Sequence, residues 1–149
     1  MIENEEITRL VELIQLCGQH MVAEDLIIQE LNPGINNHIQ GPLPRNRMAV
    51  YLFFHFDQAL KVGKVNIGSN ARYQYHHYSP NSNGSVLARN LLKSQTFIDL
   101  IGEEDIGFWM KNNLARINIL IPSHYGRKIL HFIEAYFILK FNPLFENGT

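Results

Sequence analysis

The chain has 149 residues, of which 46% are hydrophobic and 18% are charged, and its formal net charge is −1 at pH 7. This length and hydrophobic content predict a folded domain with an apolar core, and the balanced charge excludes the broadly basic composition of a histone-like protein. The single cysteine, Cys17, can form neither an intramolecular disulfide nor a thiolate-rich zinc site.

The sequence contains no segment typical of membrane or secreted proteins. The longest nearly apolar stretch, residues 129–141, is shorter than the about 20 residues that cross a bilayer, and it contains His131, Glu134 and Lys140. The chain starts with acidic residues where a secretory signal would be basic. We therefore expect an intracellular, cytoplasmic protein without a membrane partner.

Charge is distributed unevenly along the chain. Residues 1–30 carry seven acidic residues and one basic residue, a net charge of −6, whereas residues 45–93 carry seven basic residues and one acidic residue, a net charge of +6. The middle segment is therefore the part of the chain that would face an anion such as nucleic acid. An ordinary solvated surface is the alternative.

Residues 1–47 are predicted to form an N-terminal helical extension and a linker. Apolar residues recur at helical spacing from Leu10 to Leu16, and the same character from Met21 to Leu31 predicts a second helix after a break near Gly18. Residues 36–46 contain too many glycines and prolines for a regular element. Residues 48–149 are then the second, larger region.

That region begins with the clearest strand pattern in the chain. Residues 48–56 are rich in β-branched and aromatic side chains, and residues 59–65 follow after the turn-like Asp57-Gln58. This arrangement predicts a β-hairpin.

The elements after the hairpin alternate between helix and strand. Turn residues and apolar spacing predict short helices over 70–77 and 86–92, a helix from the acidic run 103–105 through Asn112, and a third strand over 116–121. Residues 125–141 are predicted to form a long helix that ends at Asn142-Pro143. This order favours an α+β fold over a parallel sheet.

Glu134 is unusual because nearly all of its neighbours in the predicted last helix are apolar. A carboxylate in such surroundings is costly unless a metal ion, a cation or hydrogen bonds compensate it. Lys128 lies within two helical turns, so a structural ion pair is the alternative to a functional role.

Tyr51, Lys61, Arg72 and Glu134 together offer the groups that phosphodiester cleavage requires. These groups are a base or water-orienting group, cations for the developing charge and a carboxylate for a divalent metal. Taken singly, Tyr51 is also compatible with a core aromatic residue, and Arg72 with a surface residue.

Five short motifs occur in an order that resembles the GIY-YIG nuclease superfamily. Ala49-Val50-Tyr51 and, after nine intervening residues, Lys61-Val62-Gly63-Lys64 resemble its paired-strand signature. Asn70-Ala71-Arg72 with His76 resembles its arginine-bearing helix, and Glu134 with Asn142-Pro143 resembles its metal-binding glutamate and C-terminal asparagine-proline. The resemblance covers roughly residues 48–146.

The resemblance implies a small antiparallel three-stranded sheet flanked by helices, and a metal-dependent endonuclease that hydrolyses DNA, of the restriction, repair or homing type. Tyr51 would orient or deprotonate the attacking water, Arg72 would neutralise the scissile phosphate, and Glu134 would hold one Mg²⁺ or Mn²⁺ ion. His76 is the expected family histidine, because four residues after Arg72 it would share that helical face, whereas His77 would point elsewhere.

Two positions depart from the family signature. Lys61 stands where the second motif has a tyrosine, and Ala49 stands where the first has a glycine. Lys61 would either lower the pKa of Tyr51 through its positive charge or mark a site that has become a binding surface.

Polar residues near these motifs are candidates for contacts with substrate. The loop 78–85 and the helix that follows would lie beside the site, and their amide and cationic groups can bind phosphates or base edges. An ordinary polar loop is the alternative. The predicted substrate-binding residues are Lys64, Asn83, Arg89, Lys93 and Asn142.

Two other functions are compatible with the sequence. One is a catalytically inactive module that keeps this fold and binds DNA or RNA. The other is an interaction domain in which residues 1–31 form a helical arm of a homodimer and Glu134 is only paired in the core.

Overall fold

The computed structural model describes residues 2–146, and within them the chain folds as one four-stranded antiparallel sheet with helices on both faces. The strands are β1 (Ile27–Leu31), β2 (Arg47–His55), β3 (Gln58–Val65) and β4 (Ala115–Pro122). The helices are α1 (Asn4–Leu16), α2 (Asn70–Gln74), α3 (Leu87–Lys93), α4 (Gln95–Ile101), α5 (Ile106–Asn113) and α6 (Gly126–Phe141). The predicted α+β class is confirmed.

The sheet has one strand more than the three that were predicted, because the chain over 27–31 is extended and not helical. β1 pairs antiparallel with β4, from Ile27 opposite Leu120 to Leu31 opposite Arg116, and the strand order is β1-β4-β2-β3. The expected second helix is reduced to a 3₁₀ turn over Ala23–Asp25. The apolar residues of this segment follow helical spacing only weakly. Pairing with β4 supplies hydrogen-bond partners for its backbone, and this stabilises the extended conformation.

The predicted hairpin is confirmed as β2 and β3, and its register decides which side chains share a face. Tyr51 is opposite Gly63 and Phe53 is opposite Lys61, while Val50 is opposite Lys64. Because paired residues in an antiparallel sheet point to the same face, Tyr51 and Lys61 lie on one face and Lys64 lies on the other.

Each face of the sheet is covered by its own apolar core. Val50, Leu52 and Phe54 pack with α1 and α6, whereas Tyr51 and Phe53 pack with helices α3, α4 and α5. The last helix was predicted over 125–141 and is observed over 126–141. The functional candidates are therefore divided between two layers that meet at the free edge of β3.

The N-terminal helix α1 is part of the first core and does not extend from the domain as an arm. Leu10 and Ile14 are buried against α6, and Glu6 accepts hydrogen bonds from Tyr136 and Lys140 of α6. The apolar face that an interaction arm would use is therefore already covered.

Among the described helices, none is long and apolar enough to cross a membrane. The last three residues of the predicted region 48–149 lie outside the described residues.

Candidate active site

Tyr51 and Gly63 form the structural centre of the candidate site. The Tyr51 side chain is fully buried, and it crosses the backbone of the neighbouring strand at Gly63. A Cβ atom at position 63 would come within 2.3 Å of the Tyr51 hydroxyl oxygen, so only glycine allows this approach. The close approach of the Tyr51 side chain therefore explains why the second motif has glycine at position 63.

The Tyr51 hydroxyl is surrounded by groups from three other elements. Among the described residues, no group makes a well-formed hydrogen bond with this buried hydroxyl. Burial raises its pKa, while the nearby Arg72 and Arg116 lower it and Glu134 raises it further. Arg72 of α2 and Glu134 of α6 therefore both act electrostatically on the same phenol.

Glu134 faces a depression of about 410 Å³ beside the edge of β3. Its carboxylate forms an ion pair with Lys64 of β3 and not with Lys128, the partner considered in the structural alternative. The side chain of Glu134 is 17% exposed, and its oxygen Oε2 takes the contact with Lys64. The lining residues that carry charge or an imidazole are Lys64, Arg72, Arg127, His131 and Glu134.

Lys61 lies on the Tyr51 face of the sheet, but its ammonium points to the C-terminal segment. The Lys61 Nζ atom is 3.8 Å from Oε2 of Glu146, and the Lys61 side chain is 14% exposed. The cations that lower the Tyr51 pKa are Arg72 and Arg116, and burial makes the net shift upward. The expectation that Lys61 lowers the Tyr51 pKa is therefore not supported by this geometry.

The histidine that contacts Tyr51 is His77, and the expectation that His76 continues the helical face of Arg72 is wrong. Helix α2 ends at Gln74, and His76–Tyr78 form a 3₁₀ turn, so position 76 does not continue the helical face of Arg72. The His77 ring centroid lies 4.2 Å from that of Tyr51. His76 instead packs on Gly84, where a Cβ atom would come within 1.9 Å of its Nδ1.

The environment of His77 keeps its imidazole neutral. Its ring is fully buried, and its Nδ1 atom is hydrogen-bonded to the Ser85 hydroxyl at 2.8 Å. Burial, together with the charges of Arg116, Arg72 and Lys61, holds the pKa of His77 well below 6.5. At neutral pH it therefore offers a neutral ring beside Tyr51.

Of the predicted substrate-binding residues, only Lys64 lines the depression at Glu134. Asn83 is exposed in its loop, while Arg89 is half-buried and Lys93 is exposed on α3. Asn142 ends α6 in the left-handed conformation, with φ 44° and ψ 63°, and its backbone N–H donates to the Ile138 carbonyl. The observed role of Asn142 is to end the helix.

Arg116 of β4 was not singled out from the sequence, although it is the largest fully buried side chain. Its guanidinium donates to Asn118 Oδ1, the Tyr73 carbonyl and the Tyr78 hydroxyl. Its Cζ atom lies 5.5 Å from the centre of the Tyr51 ring. Arg116 and Asn118 are two residues apart in a predicted strand, so their side chains point to the same face of the sheet. This spacing is the sequence signal that could have identified both residues.

No family model, curated protein or solved structure matches this chain. The interpretation of the site therefore rests on its own residues and on the motif resemblance described above.

Proposed function

We propose that this protein is a metal-dependent endonuclease that hydrolyses DNA phosphodiester bonds on a GIY-YIG-like scaffold. One observation carries the proposal: Arg72 and Glu134, from two helices far apart in sequence, both act electrostatically on Tyr51, whose hydroxyl lies over Gly63. Arg72 and Glu134 also line the same depression. Convergence of a phenol, a guanidinium and a carboxylate supports phosphoryl-transfer chemistry.

The proposed roles follow from the chemistry of each side chain. The Tyr51 hydroxyl orients the attacking water, or, as the phenolate, accepts a proton from it and becomes the neutral phenol. Burial raises the pKa of Tyr51, and the guanidinium of Arg72 offsets part of that rise by favouring the phenolate. The exposed part of Arg72 binds the scissile phosphate and neutralises charge in the transition state. Neutral His77 packs on the Tyr51 ring and fixes its orientation.

Glu134 is the residue proposed to hold Mg²⁺ or Mn²⁺. Within the described residues there is no group of three or more metal-ligating side chains, so the donor set is this one carboxylate with water and phosphate oxygens. Such a set fits Mg²⁺, which keeps several waters and binds through one or two carboxylates and a substrate phosphate. The ion would stabilise negative charge on the leaving oxygen. Lys64 holds the carboxylate toward the depression.

The first test is cleavage of supercoiled plasmid and of single-stranded DNA with Mg²⁺, with Mn²⁺ and with a chelator. We expect Tyr51→Phe to lower the rate by about 10²- to 10⁴-fold, the usual range for a general base. We expect Glu134→Gln to abolish metal-dependent cleavage, because the amide no longer supplies the carboxylate that would hold the ion. The matched controls are Tyr75→Phe and Glu12→Gln, which alter exposed residues away from the site. Cleavage that persists undiminished in Glu134→Gln would contradict the proposal.

A non-catalytic nucleic-acid-binding module is the second candidate. It is favoured by two observations, the complete burial of Tyr51 and the replacement of the signature tyrosine by Lys61, which pairs with Glu146. Retention of DNA or RNA in a gel-shift assay without metal-dependent cleavage would favour this module over the enzyme.

A further inference from the structure

A second depression lies next to the one that contains Glu134, and one loop separates them. It measures about 310 Å³. Asn66 and Ser69 line the first depression, while Ile67, Gly68 and Asn70 line the second. The two depressions therefore share the loop 66–70 as a common wall. The other residues that line the second depression are Leu43, Pro44, Arg45, Asn46 and Arg47.

The charges around the two depressions are almost all positive. The second depression is lined by Arg45 and Arg47 and by no acidic residue. In the first, the only lining carboxylate is Glu134, which Lys64 already neutralises. Within residues 2–146, no carboxylate forms an ion pair with Arg45, Arg72 or Arg127. Three guanidinium groups are thus available to an anionic ligand.

Hydrogen bonds from other elements hold the walls of the second depression in place. The Leu43 N–H donates to Oδ1 of Asn70 at 2.8 Å, which ties the linker to α2. The Ser123 N–H donates to the Asn46 carbonyl at 2.9 Å, which ties the linker to the end of β4. Arg47 donates to the Asp25 carbonyl at 2.8 Å. Arg45 stays exposed beside these fixed contacts.

The loop 66–70 makes a tight turn that leaves an apolar side chain exposed between the two depressions. Gly68 adopts a φ of +77°, a conformation that side-chain-bearing residues seldom take, and this tightens the turn. The Ile67 side chain beside it is 54% exposed. An exposed apolar side chain between two cationic depressions fits the apolar face of a sugar or base between two phosphates.

We propose that the two depressions bind successive parts of one polynucleotide backbone, which crosses the loop 66–70 between them. Arg127 contacts a phosphate on the α6 side of the scissile bond, Arg45 contacts a phosphate beyond the loop, and Ile67 packs against the nucleotide between them. That the anion is a polynucleotide rests on the proposed function. A chain with a charge at every nucleotide matches separated arginines, and phosphate contacts set register without reading base sequence.

The test measures binding of a fluorescent DNA duplex with a chelator present, as salt rises from about 50 to about 200 mM. We expect Arg45→Ala and Arg127→Ala each to weaken binding similarly for unrelated sequences and to flatten the salt dependence by about one phosphate contact, a slope change of about 0.9. Lys128→Ala and Arg9→Ala are matched controls, since both residues are exposed and line neither depression. Circular dichroism verifies the fold of each variant.

The outcomes separate this inference from the proposed function. If wild-type protein cleaves DNA and Arg45→Ala binds with the wild-type salt slope, the proposed path of the backbone is wrong while the nuclease stands. If wild-type protein neither binds nor cleaves, both proposals are overturned. A flatter slope in Arg45→Ala and Arg127→Ala, with unchanged controls, supports the proposed path even if no cleavage is detected.

Discussion

At the scale of single residues, Arg116 explains how an inner sheet face can hold so many polar groups. Its guanidinium makes hydrogen bonds to three partners and lies over the rings of Tyr51, Phe53 and Tyr73. No described carboxylate pairs with it. An unneutralised buried cation favours the ionised form of a nearby phenol and disfavours protonation of a nearby imidazole. On His77 this effect adds to burial, which also lowers the pKa, whereas on Tyr51 it offsets only part of the rise in pKa that burial causes.

If the protein is the proposed nuclease, replacing Arg116 with Met should alter the pH dependence of cleavage and not only its rate. Without the positive charge, the pKa of Tyr51 rises further, and activity should return in part at higher pH. The Tyr73 carbonyl and the Oδ1 atom of Asn118 would lose their donor, which should also lower the free energy of unfolding by about 1–3 kcal/mol. The measurements are a pH–rate profile and urea unfolding. A rate that falls by the same factor at every pH would show that Arg116 acts on stability alone.

At the scale of elements, the buried residue His38 connects the linker to Leu114, between α5 and β4, and to the turn after α2. Its Nδ1 donates to the Leu114 carbonyl at 2.8 Å, so in the neutral ring Nε2 accepts from the Tyr78 hydroxyl at 2.7 Å. Arg116 donates to the same hydroxyl. Burial lowers the pKa of His38 to about 4. The linker is thus held by a ring that must remain uncharged.

This connection predicts loss of stability in mild acid. Because the pKa of His38 is lower in the folded protein than the ordinary 6.5, its contribution is complete above pH 6.5 and is lost as the pH falls toward about 4. His77 acts in the same direction. Urea unfolding across this range should show that the free energy of unfolding depends less steeply on pH in His38→Gln than in the wild type, although the variant is less stable at pH 7. His124→Gln, at an exposed position, should keep the wild-type slope.

The sequence predicted those elements whose local pattern and tertiary environment agree. The β2–β3 hairpin, β4 and α6 have strong periodicity and were predicted within about two residues. β1 was missed because only its pairing with β4 makes a five-residue segment extended. The orientation of His77 was predicted wrongly because α2 stops at Gln74. No breaker residue in the sequence signals this early end. In the candidate site, the resemblance selected Tyr51, Arg72 and Glu134, but not the supporting Arg116.

At the scale of the whole molecule, the two ends of the chain are joined through α1 and α6. Glu6 is 7% exposed, and hydrogen bonds from Lys140 and Tyr136 lower its pKa even though burial alone would raise it. The same contact and burial raise the pKa of Tyr136 to about 12. Since α6 also carries Glu134 and Arg127, the position of the candidate site depends on the N-terminal helix.

A pair of leucines on α1 tests whether this helix belongs to the core or forms an interaction arm. Leu10 is fully buried, whereas Leu16 on the same helix is 83% exposed. Leu10→Ala should lower the free energy of unfolding by about 2–5 kcal/mol because it leaves a cavity against α6. Leu16→Ala should change it by less than about 0.5 kcal/mol. Urea unfolding at several protein concentrations measures both. The opposite result would be a urea midpoint that rises with protein concentration and that Leu16→Ala lowers more than Leu10→Ala does. That result would indicate that α1 is stabilised by a second copy of the chain.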